Sequence, residues 1–553
     1  MVIYIPLFII SVVSGILLTG KNASKSKKII YLALNFGLMF LVSVLRFGMG
    51  NDYFSYMRIF DEISAAGWGE TLTLGYEPLF AVITKLISAL TDSYEVMYGV
   101  YSALILAPVA VAVYKWSDNV WISTAAYLCL TFFYASLSFI RQSLAVSLLI
   151  LAFGFIKERK ILPVLIFAVA AIGFHYTAAA FIPLYLLSLV KPTKKYMIIF
   201  GSVSVGALIT CLVMKAVGAN PLNLVADIVT AVTGRDYSSY IGTTWFETGF
   251  DVRYLIMPLA VLGLVLVSYF LGWKEKKEAD TLLQFMFMSA AIWLFITYAF
   301  IVERFTMYIF IFSLVAIPSV LFWFEEKAEL AAAPKDDSGK KLPGYSKKKS
   351  EEKKDTSFLV TTITVFGMFV YNCWSIGMNF HGISPFMSNI PAVNDLVDGY
   401  DGHEENLTNM RGTNDLYTYL IQLGNTDCGY VIVSTSDSYN GIVPAIRRAA
   451  DYAGTGINRP SDIEAASPAF IEYNDRNGVY YTGENPSYSA ENGISIVNNG
   501  TDAVVTDKLG NTAKIADGKL AFLLFNEEGI FFDGTAFEVD KIGRVAEKVS
   551  PNE

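Results

Sequence analysis

The sequence predicts an all-α polytopic membrane protein of about 11–12 transmembrane helices, with a C-terminal extracytoplasmic α/β domain. Three observations predict it. Hydrophobic residues make up 54% of the 553 residues and charged ones only 17%, a balance too apolar for a soluble chain of this size. Apolar runs of bilayer length recur through residues 1–376. Residues 377–553 then read as an ordinary polar domain with short β-branched runs.

The net charge of −8 comes largely from that tail, which argues against nucleic acid as a partner and leaves the lipid bilayer as the first one. The first apolar run has its lysines after it rather than before it, so no cleavable signal peptide is expected. Cys129, Cys211 and Cys373 lie in apolar segments and Cys428 is alone in the tail, so no disulfide framework is expected. No CxxC or HxxxH spacing points to a metal, and His175, His381 and His403 are far apart.

Taken in order, the runs fall near 3–20, 29–46, 96–114, 119–138, 140–156, 161–174, 175–190, 196–215, 254–273, 281–299, 305–324 and 356–376. The pair 161–174 and 175–190 is short and reads as two spans or one broken helix. Segment 78–91 is shorter still, holds Lys85, and reads as re-entrant or interfacial. Residues 325–355, with Lys347-Lys348-Lys349 and Lys353-Lys354, read as a flexible charged linker.

Positive charge orients this set. Basic residues cluster at Lys21/Lys25/Lys27/Lys28, Lys115, Lys157/Arg159/Lys160, Lys191/Lys194/Lys195 and Lys274/Lys276/Lys277, and in the linker. One topology puts every cluster in the cytoplasm: both termini outside, twelve spans, and 78–91 not crossing. Arg46, Arg58, Arg141, Arg235, Arg253 and Arg304 then all fall on the outer side. Each alone reads as an interfacial anchor or half of an ion pair. The set reads as a site, because a guanidinium fork matches phosphate and carboxylate groups in a bidentate way. Tyr53, Tyr56, Trp68, Tyr76, Tyr237, Tyr240, Trp245 and Tyr254 also lie in outer loops, where aromatics serve either as belt residues or as stacking surfaces for sugars. Gly234-Arg235-Asp236-Tyr237-Ser238-Ser239-Tyr240 repeats the acid-Tyr-x-x-Tyr pattern of Asp52 to Tyr56, and the two are expected to face one cavity.

Four motifs sit at the outer level: Arg46-Phe47-Gly48-Met49-Gly50-Asn51-Asp52-Tyr53, Tyr76-Glu77-Pro78-Leu79-Phe80, Phe139-Ile140-Arg141-Gln142 and Phe174-His175-Tyr176. Ionisable residues at membrane depth are costly and mark function. In order and spacing these motifs resemble the EpsG family of Wzy-like bacterial membrane proteins, over about residues 1–330; Asn51 stands where that family more often carries a small hydroxyl residue. The resemblance implies that residues 1–324 form a membrane-embedded polysaccharide polymerase of exopolysaccharide or capsule synthesis. It would join repeat units borne on undecaprenyl pyrophosphate outside the membrane, with the pathway's flippase and chain-length regulator as partners.

On that reading Arg46, Tyr53, Arg141, Gln142, Tyr176, Arg235, Arg253 and Arg304 are the substrate-binding candidates. Asp52, Glu77 and His175 are the candidates for orienting or deprotonating the acceptor hydroxyl. With neither paired carboxylates nor a DxD-like triad at the outer face, a metal-independent reaction without cofactors is expected. Two other classes compete. A flippase or exporter of lipid-linked oligosaccharide should carry mid-membrane charges and internal repeats, which the sequence lacks. A membrane acyltransferase acting on the glycan should pair a histidine with an acid, and His175 has none nearby in sequence.

The last span, 356–376, leads into the tail. Leu416–Leu423 and Gly441–Ala453 read as helices. Strands are expected at Gly429–Ser436, in a hairpin joining Ala469–Tyr473 to Gly478–Tyr481, and at Ala503–Asp507, Leu520–Phe525 and Ile530–Phe532. In strand-helix order and over Ala521–Phe537 this part is similar to the interleukin-like (FAM3-type) fold, which implies a glycan-binding or partner-binding role. Asp437, Asp475 and Asp533 read as turn residues.

Overall fold

The computed structural model describes residues 3–20, 23–217, 253–297, 302–332, 351–378, 381, 383, 416–424, 426, 428–435, 453, 455, 470–476, 479–482, 487–499, 501–516 and 518–537. The chain forms two compact units, one of residues 1–51 and 72–389, the other of residues 52–71 and 390–553.

The first unit is helical among its described residues. Its apolar runs become Tyr4–Leu18, Lys25–Leu45, Pro78–Ser88, Tyr94–Trp116, Val120–Cys129, Phe132–Ser138, Ile140–Leu151, Phe153–Lys157, Ile161–Phe174, Phe181–Ser188, Lys194–Ala216, Arg253–Leu271, Ala279–Trp293, Val302–Phe310, Ser313–Ala332 and Glu351–Met378. Among the described residues, fewer helices are long enough to span than the 11–12 the sequence suggests. Among the described residues four helices are long and apolar enough to cross a membrane, or up to six if each of two bent pairs is one span. The reason is backbone breaks inside continuous apolar runs. Run 119–138 bends by 49° between Cys129 and Phe132, where Thr131 adopts a left-handed φ of 68°. Run 305–324 bends by 42° near Phe310, and run 140–156 breaks at Ala152. Segment 78–91 gives the 11-residue helix Pro78–Ser88, too short to cross a bilayer core.

The helices pack as neighbours that share apolar faces. Tyr94–Trp116 lies against both Lys25–Leu45 and Ile140–Leu151, and Ile140–Leu151 against Ile161–Phe174. Ser313–Ala332 lies against Val120–Cys129 and Glu351–Met378. Other faces stay bare and apolar. Lys194–Ala216 exposes Ile198, Ile199, Val203, Ile209 and Val213, and Glu351–Met378 exposes Phe358, Ile363 and Phe366. Such surfaces suit hydrocarbon and are costly in water.

The second unit is β-rich among its described residues, where the sequence suggests an α/β domain; the expected helix Gly441–Ala453 lies largely outside them. Its strands are β1 (Gly429–Ser434), β2 (Phe470–Asn474), β3 (Val479–Thr482), β4 (Ser487–Ser489), β5 (Ser495–Asn498), β6 (Ala503–Thr506), β7 (Thr512–Ile515), β8 (Leu520–Phe525) and β9 (Phe531–Phe537). They form two antiparallel sheets, β3-β2-β1-β8-β9 and β4-β5-β6-β7. The β2–β3 hairpin pairs Asn474 with Val479, as the sequence predicts. Central strands β1 and β8 are buried throughout, so both their faces are covered. One face shares a core with Ile496 and Val505 of the smaller sheet, and with Ile494 just before β5, through Val431, Val433 and Leu523. On β8 and β9, Phe522 and Phe537 take the ring of Tyr419 from the helix Leu416–Leu423, with centroids 5.0 and 5.2 Å away. Helix Tyr53–Ala65 belongs to this unit and packs on Leu416–Leu423.

Candidate active site

The site grows from three chain breaks in the first unit. At the first, Lys25–Leu45 ends and Arg46 to Asn51 continues as loop. Gly50 has φ +99°, and a Cβ there would lie 2.3 Å from the Leu137 carbonyl oxygen, so only glycine lets the two backbones touch. The Asn51 N–H then donates to Ser138 Oγ at 3.2 Å. This fixes the loop against the start of Phe139-Ile140-Arg141-Gln142. Arg46 is 2% exposed, with its guanidinium 4.9 Å over the Tyr98 ring.

At the second break Glu77 precedes Pro78, the first residue of its helix. At the third, Ile161–Phe174 ends at His175, whose extended backbone (φ −157°, ψ 117°) is followed by the 3₁₀ turn Tyr176–Ala180. These two breaks are brought together by Gly173, where a Cβ would come within 2.7 Å of Leu79 Cγ.

Glu77 is the centre of the result. Its carboxylate is 2% exposed. Oε2 accepts from Arg141 Nη1 at 2.7 Å, and Oε1 faces His175 Nδ1 at 3.0 Å. A carboxylate held by a guanidinium accepts only, so His175 places its proton on Nδ1 and leaves Nε2 as an acceptor. One buried acid thus orients an arginine and a histidine at once. The Arg141 guanidinium also lies 5.6 Å from the Phe80 ring centroid, three residues along from Glu77.

A second group of residues adjoins it. Gln142 Nε2 donates to the Arg304 carbonyl, and the Arg304 guanidinium lies 4.2 Å over the Phe139 ring. Thr177 Oγ1 and Tyr308 OH share a hydrogen bond of 2.6 Å, tying the turn after His175 to the helix that carries Arg304. Among the described residues no three His, Cys, Asp or Glu side chains gather as a metal site would need.

Of the candidates read from the sequence, Glu77, Arg141 and His175 are in direct contact, and Gln142 and Arg304 adjoin them. Tyr176 opens the 3₁₀ turn and is half-buried. Arg46 is held against the same Ser138–Phe139 segment through its loop. Asp52 and Tyr53 are counted with the second unit, at the start of Tyr53–Ala65. Arg253 begins the helix Arg253–Leu271, with its side chain outside the described residues, and Arg235 and its loop lie outside them altogether. Sequence reasoning passed over His381, whose ring stands against Phe139 with centroids 5.7 Å apart. Its signal is position: it lies just past the apolar run 356–376, as His175 lies past 161–174.

The family model described as EpsG family matches residues 29–331, more than half of the chain. No curated protein and no solved structure matches it, and the likeness of the tail to the FAM3-type fold finds no support in the comparisons.

Proposed function

The chain belongs to the EpsG family, and from that premise we propose that it is a polysaccharide polymerase. It joins repeat units carried on undecaprenyl pyrophosphate at the outer face of a bacterial plasma membrane, in exopolysaccharide or capsule synthesis. Several apolar helices support a multi-pass membrane protein, with the second unit on the outer side. The flippase and chain-length regulator of the same pathway are its expected partners.

The observation that carries the reading is the Glu77 carboxylate shared by Arg141 and His175. In the proposed step the acceptor hydroxyl attacks the anomeric carbon of the growing chain. The hydroxyl proton passes to His175 Nε2 and the new glycosidic bond forms. The bond between that carbon and the pyrophosphate oxygen breaks, and polyprenyl pyrophosphate leaves. Glu77 holds the histidine tautomer and stabilises the imidazolium that forms. The arginines take the charge that builds on the leaving pyrophosphate. No step calls for a metal.

A second reading has one observation in its favour. An acyltransferase acting on the glycan needs a histidine paired with an acid, and His175 with Glu77 supplies that pair. One experiment separates the two. In a strain lacking this protein, the lipid-linked glycan is sized. Accumulation of single repeat units supports the polymerase; full-length chains that have lost an acyl group support the acyltransferase; full-length, unaltered chains sink both.

A further inference from the structure

Arg304 and His381 meet on one aromatic ring. The guanidinium lies over the face of Phe139, and the imidazole stands to the same ring at an interplanar angle of 78°. Phe139 leads directly into Ile140-Arg141-Gln142, so the pair adjoins the Glu77 group. His381 comes from beyond residues 29–331, the stretch matched by the family model.

The chain holds this residue in place deliberately. Ser138 Oγ donates to the His381 carbonyl. Tyr4 OH donates to the Ile383 carbonyl at 2.9 Å, and Tyr134 OH to Asn372 Oδ1 at 2.8 Å in the preceding helix. The side chain is 3% exposed, yet its Nδ1 has no hydrogen-bond partner among the described residues. An unsatisfied buried polar atom is costly, and a ligand that accepts from it would recover that cost. Burial first, and then the Arg304 charge, bring the imidazole down to about 4, so it is neutral and has one N–H to offer.

Charge points to the kind of ligand. Arg141 is matched by Glu77. Among the described residues no carboxylate lies within ion-pair distance of Arg304. Among the described residues this is a stacked guanidinium without a counter-charge beside an imidazole nitrogen without a partner, which is a place for an anion.

We propose that Arg304 and His381 form an anion subsite for the phosphate of the lipid-linked substrate, the guanidinium and the Nδ1–H donating to phosphate oxygens. The identity of the ligand rests on the polymerase reading. The division of work is then clear: Glu77 and His175 handle the proton, while Arg304 and His381 hold the phosphate.

The test is binding, not activity. Full-length protein in nanodiscs of zwitterionic lipid is titrated with undecaprenyl pyrophosphate, with undecaprenol as the uncharged control. His381→Phe keeps a ring against Phe139 but removes the donor, and should weaken pyrophosphate binding roughly 10–100-fold, the worth of one hydrogen bond to a charged group. Arg304→Gln should weaken it at least as much. Both should bind undecaprenol as the parent does, and His381→Gln, which restores an N–H, should recover part of the loss. It also keeps the question open to measurement if the Phe variant does not fold. If the parent binds and both variants bind equally well, the subsite is wrong and the polymerase reading stands. If phosphatidylglycerol displaces the probe at comparable concentration, the subsite recognises bulk headgroups and the proposal fails. If the parent does not bind undecaprenyl pyrophosphate at all, this inference and the polymerase reading fall together.

Discussion

Glu77 contacts Arg141 and His175 across 64 and 98 residues of sequence, and this one carboxylate decides what the candidate site can do. Removing one partner of a buried pair leaves the other charge uncompensated, at a cost of about 3–5 kcal/mol. Glu77→Ala and Arg141→Ala should therefore each lower stability by an amount of that order. The double variant should lose less than the sum, read as thermal unfolding of the purified protein. Arg141→Lys keeps the charge and loses the fork, as does Arg46→Lys; both should reduce polymerisation at normal expression, measured on the length of the lipid-linked glycan. Unaltered chains from both variants would remove these arginines from the mechanism. The residues themselves were legible in the sequence, since charges at the ends of apolar runs stand out. Their pairing was not. Nothing local ties His175 to an acid, and the acid it uses arrives through helix packing. Asp52 and Tyr53 form one continuous motif with Arg46 in sequence, yet are counted with the other unit.

At the scale of elements, glycines set which helix ends meet. Gly173→Ala should push Ile161–Phe174 away from Pro78–Ser88 and pull His175 off Glu77, costing about 1–3 kcal/mol as an overpacking change. The obstacle is the Leu79 side chain, so Leu79→Ala in the same chain should restore both stability and glycan length. Gly50→Ala meets a carbonyl at a left-handed φ, and no side-chain truncation relieves it. If Leu79→Ala rescues neither property of the Gly173 variant, the close approach does not build the site. In the second unit, Asp507 organises the link between β6 and β7. Its carboxylate accepts from the N–H groups of Leu509 and Asn511 and from Asn511 Nδ2, and from Phe531 N at the start of β9. Burial raises its pKa, but these hydrogen bonds outweigh burial and hold it below the usual aspartate value. A depressed folded pKa contributes stability that is complete above the unfolded pKa of ~3.9 and is lost as pH falls through the folded value. Protection of the Leu509, Asn511 and Phe531 amides, taken relative to their intrinsic exchange at each pH, should thus fall on acidification below about pH 4, and Asp507→Asn should abolish that dependence. Helix boundaries were less legible than helices. The breaks at Thr131 and Ala152 fall inside unbroken apolar runs, where composition gives no sign of a turn, whereas the break at His175 falls where the sequence already divides 161–174 from 175–190.

Over the whole molecule, the shift from apolar to polar composition marks where the helical part gives way to the β-rich part. The proposed orientation rests on the basic clusters alone and has a direct check. Ser489 is exposed on the short edge strand β4. Ser489→Cys should react with a membrane-impermeant maleimide added outside intact cells, against a background set by Cys211 and Cys373, since Cys129 and Cys428 are buried. Labelling only after lysis would reverse the topology and place the Glu77 group on the cytoplasmic side. The whole-chain feature that sequence order concealed is the division into units, because residues 52–71 are counted with residues 390–553 although they lie far from them in sequence.

That shared membership matters for anyone who would cut the protein. A stop codon near residue 390 looks like the clean removal of an appendage. It would in fact take away Leu416–Leu423 and leave Tyr53–Ala65, with Met57, Phe60 and Ile63, without the helix it packs on. A strain carrying that truncation would report on quality control, not on what the tail does. An informative deletion has to excise two pieces, 390–553 and 52–71, and close the second gap with a short flexible linker between Asn51 and Leu72.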